Sequence, residues 1–457
     1  MTQPSGNKSS VNMLDGNIYR NMLVFALPLI ASGVLQQSFN SVDVAVVGQF
    51  AGHRALAAVG SNGPVINLIV NLFVGISIGA NVVIANHIGR KNNDGIRRAV
   101  ATTSTLAIVS GLILLVVGQC VAAPILKALD TPADILDQAV AYLRIYSLGM
   151  PFMMFYNFGS AILRSIGDTR RPFYALVAGG LVNVVLNLVF VLGFGMGVDG
   201  VAIATVIANA VSAAIIIYVL RREPEPCRVR PSHFTFRHDE LSKILKIGVP
   251  AGIQGMVFSL SNVFIQSAIN AFGSDAVAGS AAAINFESYS YFIISAFAQT
   301  VVAFTGQNFG AGNLSRCRLV FRTGMILSVV GSGVLNIIVV IFAPEAVSIF
   351  TSDPTVAVYA VERIHAVLIF QCVASSYEIS GAALRGQGYS MTPTSLTIFG
   401  TCLLRLAWVF ALKDSLSFAV LLIIYPVSWA VTGVAVLTAY LIIARRLRIR
   451  YSRHNPA

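Results

Sequence analysis

The sequence predicts an all-α membrane protein of twelve spanning helices, arranged as two parallel six-helix repeats. Three observations carry that expectation. Hydrophobic residues make up 56% of the 457 and charged residues 11%, against about 25% charged in soluble domains; the mean hydropathy is +0.76. Twelve segments each hold the ~20 apolar residues that a bilayer crossing needs. And one stretch of chain occurs twice. Ala161, Leu163, Arg164, Gly167 and Pro172 return as Ala382, Leu384, Arg385, Gly388 and Pro393, and Pro28, Gly33 and Asn40 return as Pro250, Gly255 and Asn262. A soluble globule of this size still needs a polar skin that this composition does not supply.

The segments lie near 21–47, 55–86, 98–121, 139–162, 173–194, 200–220, 244–272, 276–305, 319–342, 357–383, 392–412 and 416–444. Residues 1–16 are polar, and the first apolar run contains Asp43 and lacks a small-residue cleavage site, so it reads as helix 1 and not as a leader. Pro28 in helix 1 and Pro250 in helix 7 each remove a backbone hydrogen bond and permit a kink. Arg164 and Arg385 close helices 4 and 10 and open glycine-containing loops, where they would cap helix carbonyls. The connection 221–240, with Pro224, Pro226 and Pro231, reads as a linker. The expected organisation is a tail over 1–16, an N-lobe over 17–220, the linker, a C-lobe over 241–445, and a tail over 446–457. Six helices per half make the repeats parallel, related by an axis along the membrane normal. Such duplicated helical halves are the signature of a secondary transporter, with its binding site between the repeats.

Basic residues orient the chain. With the N-terminus in the cytoplasm, 25 of the 31 Lys and Arg fall in cytoplasmic segments. Arg54, Lys127, Arg144, Arg363 and Lys413 fall outside, and Arg405 stays within a helix. Both termini are then cytoplasmic. The +12 charge is spread over short loops, which argues against nucleic-acid binding. The five cysteines and six histidines show no metal-ligand or disulfide spacing.

Three carboxylates fall at membrane depth: Asp43 in helix 1, Glu287 in helix 8 and Glu378 in helix 10. A charged, unpaired carboxylate there costs several kcal/mol, so each is a functional candidate, the alternative being a group paired for packing. Gln36, Asn40 and Asp43 share one face of helix 1 at i, i+4, i+7. Asn183 and Asn187 on helix 5, and Thr205 and Asn209 on helix 6, are each i, i+4 pairs. Converging, these faces would make an oxygen-rich pocket around one carboxylate. Such a pocket suits a hard cation; a proton needs the carboxylate alone. Interhelical hydrogen bonding is the other use of such asparagines. The coupling-cation candidates are therefore Asp43, Asn183, Asn187, Thr205 and Asn40, and a Na⁺ at Asp43 is the one metal the pattern allows. No cofactor is implied.

The second half does not repeat this pattern. Asp43 falls opposite Phe264 or Ile265, and Glu378 opposite Asn157. Glu287 has Phe286, Tyr289 and Phe292 as neighbours, a combination able to hold an organic cation by charge and cation–π contact, or simply to pack. Glu287, Glu378, Tyr289 and Gln36 are the substrate-contact candidates. The two halves share a scaffold but not a site.

Several stretches carry a family resemblance: Val42-Asp43 with Val47-Gly48; Gly197-Val198 through Ile203-Ala204-Thr205; Phe304-Thr305-Gly306-Gln307-Asn308-Phe309-Gly310-Ala311-Gly312; and Gly381-Ala382-Ala383-Leu384-Arg385-Gly386. Over residues 20–445 the chain resembles a bacterial member of the multidrug and toxic compound extrusion (MATE) family. The resemblance implies a monomeric antiporter of the bacterial cell membrane with two six-helix lobes in a V. It would export small cationic or amphipathic molecules in exchange for Na⁺ or H⁺, with the family's helix 1 aspartate at Asp43 and the helix 5 pair of the DinF-like branch at Asn183 and Asn187. That branch commonly has aspartate where this chain has Asn187. The helix 7 and helix 10 acids of the NorM-like branch are replaced by Phe258 or Ser259 and by Ala374. The alternative is a lipid-linked-precursor flippase of the same superfamily, whose cavity would be strongly cationic. A major facilitator reading of His87-Ile88-Gly89-Arg90-Lys91 lacks the upstream part of that motif. An enzyme would need a clustered acid–base set or metal ligands at the membrane surface, and none is visible.

Overall fold

A computed structural model describes residues 10–129, 131–230, 234–411 and 417–454, and every element among them is helical. In the first half these are α1 (Ile18–Val46), α2 (His53–Gly89), α3 (Asn93–Ala128), α4 (Ala133–Leu148), α5 (Met150–Ser165), α6 (Arg170–Leu188) and α7 (Val198–Arg222). The second half holds α8 (His238–Asn270), α9 (Ser274–Gly310), α10 (Leu314–Ile341), α11 (Ala343–Ser348), α12 (Pro354–Val367), α13 (Ser375–Gly386), α14 (Met391–Thr397), α15 (Leu404–Ala411) and α16 (Phe418–His454). Eleven helical runs among the described residues are long and apolar enough to cross a bilayer. The chain is a multi-pass, all-helical membrane protein. Pro231 and Lys413 lie outside the described residues.

The fourth predicted segment is interrupted. Gly149 separates α4 from α5, each of 16 residues, short of the ~20 that span alone. Pro151 at the start of α5 has no N–H to return to the preceding turn, and the Ser147 hydroxyl donates to Leu143 O at 2.6 Å. Its repeat mate is interrupted too: a 3₁₀ stretch, Leu368–Ala374, divides α12 from α13. The repeated letters at the ends of these helices have a geometric cause. Gly167 and Gly388 sit at φ +96 and +89, a region that a side chain disfavours. Pro172 and Pro393 follow in the first turns of α6 and α14, where a missing N–H costs nothing.

Contacts divide the chain into two compact units. Unit 1 comprises residues up to Asn12 with Leu27–Gly252; unit 2 comprises Met13–Ala26 with Ile253–Ala457. The boundaries fall inside α1 and α8, close to Pro28 and Pro250. Within unit 1, the start of α8 is fused to α2 through four glycines. A Cβ on Gly75 would lie 2.1 Å from Gly252 N, and one on Gly79 would lie 2.3 Å from Ile244 O. A Cβ on Gly248 would lie 2.5 Å from Ile76 Cα, and one on Gly252 would lie 2.3 Å from Leu72 O. Two small-xxx-small faces thus interlock with backbone against backbone. Glu240, in the first turn of α8, bonds His87 of α2 at 3.0 Å and accepts from Lys243 at 3.0 Å. Within unit 2, the start of α1 packs by bulk instead: the Phe25 and Phe304 rings meet edge-on at 5.5 Å. Asn308, in the Phe304–Gly312 stretch, is fully buried and donates to Met13 O at 3.0 Å.

Candidate functional site

In unit 1 three helices bring polar side chains to one point. Asp43 stands in the last turn of α1, Asn183 and Asn187 a turn apart on α6, and Thr205 on α7. Thr205 Oγ1 donates to Val201 O at 3.0 Å, which leaves its lone pairs free to accept from Asn183 Nδ2 at 3.3 Å. Asn187 Nδ2 donates to Asn183 Oδ1 at 3.3 Å and to Asp43 Oδ1. The result is one continuous hydrogen-bonded chain ending on the carboxylate. Asn187 is fully buried, and its Oδ1 has no partner among the described residues. A carboxylate oxygen and an unused amide oxygen side by side are acceptors that a hard cation takes.

Both site helices leave the α conformation just past the site, α1 into a π turn at Val47–Ala51 and α6 into one at Val189–Gly193. Single π turns inside α-helices mark functional positions frequently. Tyr142 and Tyr146 of α4 stack at 5.9 Å and interact electrostatically with Asp43. Asn40 and Gln36 are exposed on α1 and do not hydrogen-bond to this chain. Asn209 is half-buried and likewise outside it.

Unit 2 has a different polar interior. Glu287 of α9 takes both arms of Arg363 from α12, at 2.7 and 3.0 Å, and Gln371 Nε2 donates to Glu287 O at 2.8 Å. Arg363, placed with the outer loops by charge counting, is 2% exposed. It lies near one end of its predicted segment, where sequence alone cannot tell a loop cation from a buried one. The Arg363 guanidinium faces the Tyr425 ring of α16 at 5.3 Å; Arg405 of α15 faces the same ring at 4.5 Å and the Phe258 ring at 5.4 Å. Arg405 donates to Ser428 Oγ at 3.1 Å and to Asn262 Oδ1 at 3.3 Å. Asn262 is the repeat mate of Asn40, so that position does polar work in unit 2. Tyr289 packs edge-on against Phe292 at 6.4 Å. Tyr291, not Tyr289, reaches a carboxylate, donating to Glu378 Oε1 at 3.3 Å. No group of three or more His, Cys, Asp or Glu is placed to hold a metal ion among the described residues.

Membrane-spanning helices duplicated within one chain, each copy with its own polar interior, define a transporter and not an enzyme. The MatE family model matches the sequence twice, over residues 28–189 and again over 250–410. The two matches stand at the repeat offset read from the sequence. The chain belongs to the MATE family. It is 28% identical over 442 residues to the probable multidrug resistance protein YoeA of Bacillus subtilis, covering 95% of this chain and 96% of that protein. It is 29% identical over 402 residues to the probable multidrug resistance protein NorM of Thermotoga maritima, covering 86% of each. A solved structure described as the outward-facing conformation of a multidrug resistance MATE family transporter of the MOP superfamily superposes with a TM-score of 0.90. It covers 97% of this chain and all of that one at 22% identity. The fold is the MATE fold.

Proposed function

We propose that the protein exports amphipathic, including cationic, organic molecules across a bacterial cell membrane in exchange for Na⁺ or H⁺, and that Asp43 carries the coupling cation. The observation that carries this reading is the hydrogen-bonded chain Thr205–Asn183–Asn187–Asp43, which ends on the one unit 1 carboxylate deep within a span. The names of the Bacillus subtilis and Thermotoga maritima relatives, both probable multidrug resistance proteins, support the substrate side. Asn40 and Gln36, exposed on the same helix, are assigned to a solute's approach and not to the cation. Glu378 has no basic nitrogen within 4.0 Å among the described residues, so we assign it to contact with a cationic moiety of the solute. Glu287 is committed to Arg363, and Tyr289 to packing beside it. The protein acts as a monomer with both termini cytoplasmic; Lys91→Cys would then label from the cytoplasmic side alone.

Efflux of ethidium from proteoliposomes, under an imposed Na⁺ or H⁺ gradient tested separately, examines the coupling. Asp43→Asn keeps the shape of the side chain and removes its charge. It is expected to abolish gradient-driven efflux at matched protein level. Wild-type efflux in that variant would remove Asp43 from the mechanism.

A further inference from the structure

Unit 2 buries more positive than negative charge at one place. Arg363 and Arg405 are 2% and 1% exposed, and both lie against the single ring of Tyr425. One carboxylate, Glu287, serves the pair, and it is engaged by Arg363. No carboxylate lies within 4.0 Å of Arg405 among the described residues; its two partners are neutral. Nη2 of Arg405 is buried with no hydrogen-bond partner among the described residues. A guanidinium always stays charged. Burying it without a counter-charge costs more than contact with two aromatic faces returns. A planar fork of donors left open is what recognises a carboxylate or phosphate.

A second observation gives the ligand a body. Val409 follows Arg405 by one turn on the same face of α15, and it lines a cavity of about 390 Å³ with Phe264, Ala268, Phe272, Leu406 and Phe410. Apart from the Ser267 hydroxyl that lining is apolar, and it belongs to the α8 and α15 helices that hold Asn262 and Arg405 and to the turn after α8.

We infer that Arg405, backed by Arg363 and Tyr425, is an anion-binding subsite of unit 2, taking the carboxylate of an amphipathic solute whose apolar part occupies the adjoining cavity. This rests on the transporter reading above and narrows its substrates to include organic acids and zwitterions. Charge selects the ligand: Arg405 Nη2 gains a charged acceptor, Asn262 and Ser428 hold the guanidinium plane, and the phenyl and indole-free walls of the cavity take the hydrocarbon.

The chain has two tryptophans, and both report on this place. Trp408 lies three residues beyond Arg405, and the Trp429 ring is 5.9 Å from that of Tyr425. The test is tryptophan fluorescence of the purified full-length protein titrated with benzoate, benzamide and benzamidine, three ligands of one shape and charge −1, 0 and +1. Benzoate is expected to bind wild type roughly tenfold or more tighter than the other two. Arg405→Gln should erase that preference, and Arg405→Lys should weaken it, since an ammonium keeps the charge without the fork. Equal binding of all three ligands, or preference for benzamidine, overturns the inference on wild type alone, whatever the variants do. Loss of benzoate binding in phosphatidylglycerol nanodiscs, relative to phosphatidylcholine ones, would show a lipid phosphate holding the site and would also overturn it. The measurement involves no ion gradient, so its failure is distinct from a failure of coupling at Asp43.

Discussion

Unit 1 and unit 2 descend from one repeat, yet their interiors carry opposite charge. In unit 1 Asp43 accepts from the neutral amide of Asn187, which also donates to Asn183, and Asn183 donates onward to Thr205. In unit 2 two guanidiniums share one aromatic ring, and only Arg363 holds a carboxylate, that of Glu287. The neutral partner in unit 1 leaves Asp43 without a fixed counter-charge, as the coupling role proposed for it requires. The bidentate pair in unit 2 fixes Glu287, because releasing it would strand a buried Arg363. On the function proposed above, a duplicated scaffold separates two tasks: exchanging a cation, and holding a fixed electrostatic field.

The contrast can be broken by substitutions of matched size. Glu287→Gln is expected to have the largest effect on stability, about 3–5 kcal/mol, because it leaves a buried guanidinium unpaired. Thermal unfolding of the purified protein measures it, and adding Arg363→Met should recover much of the loss. Asp43→Asn, the equal change in unit 1, should leave the melting temperature within a few degrees of wild type while ending coupled efflux. If the two variants melted alike, the division of labour between units would fail. Asn187→Leu comes next. It removes the donor to Asp43 and one free acceptor, and should cost about 1–3 kcal/mol and raise the cation concentration for half-maximal efflux. Thr205→Val is the smallest: it deletes the far end of the chain, costs about 0.5–1.5 kcal/mol, and should shift cation dependence slightly. An effect larger for Thr205→Val than for Asn187→Leu would reverse the order in which the chain transmits to Asp43.

Much of this was legible in one dimension, and the exceptions have physical causes. The Gly167 and Gly388 loops were visible as repeated letters because positive φ restricts residue type. The Asp43 cluster was visible because a carboxylate and i, i+4 asparagines on apolar helices each need polar partners. The partners Tyr142 and Tyr146 were not, since a tyrosine in a membrane helix carries no mark of what it faces. Helix 4 was drawn unbroken because hydropathy averages over Gly149 and Pro151. The burial of Arg363 was not visible, as a cation near a segment end reads as a loop residue. Arg405 stood out as a basic residue within a span, but its ring partner lies on α16, and no spacing links 405 to 425. The glycines of α2 and α8 were present at four-residue spacing; which helix each would meet is a question of tertiary packing.

That glycine interlock sets a limit on how the protein can vary. At Gly75, Gly79, Gly248 and Gly252 even one methyl group would enter a neighbouring backbone. Lipid-facing positions on membrane helices accept exchanges among Leu, Ile, Val and Phe with small effect. In a saturation library selected for drug tolerance, these four codons would stand as a sparse barcode of intolerance, two marks per helix at one spacing. Chain length would be free to drift in the connection before α8, and hardly at all between the marks.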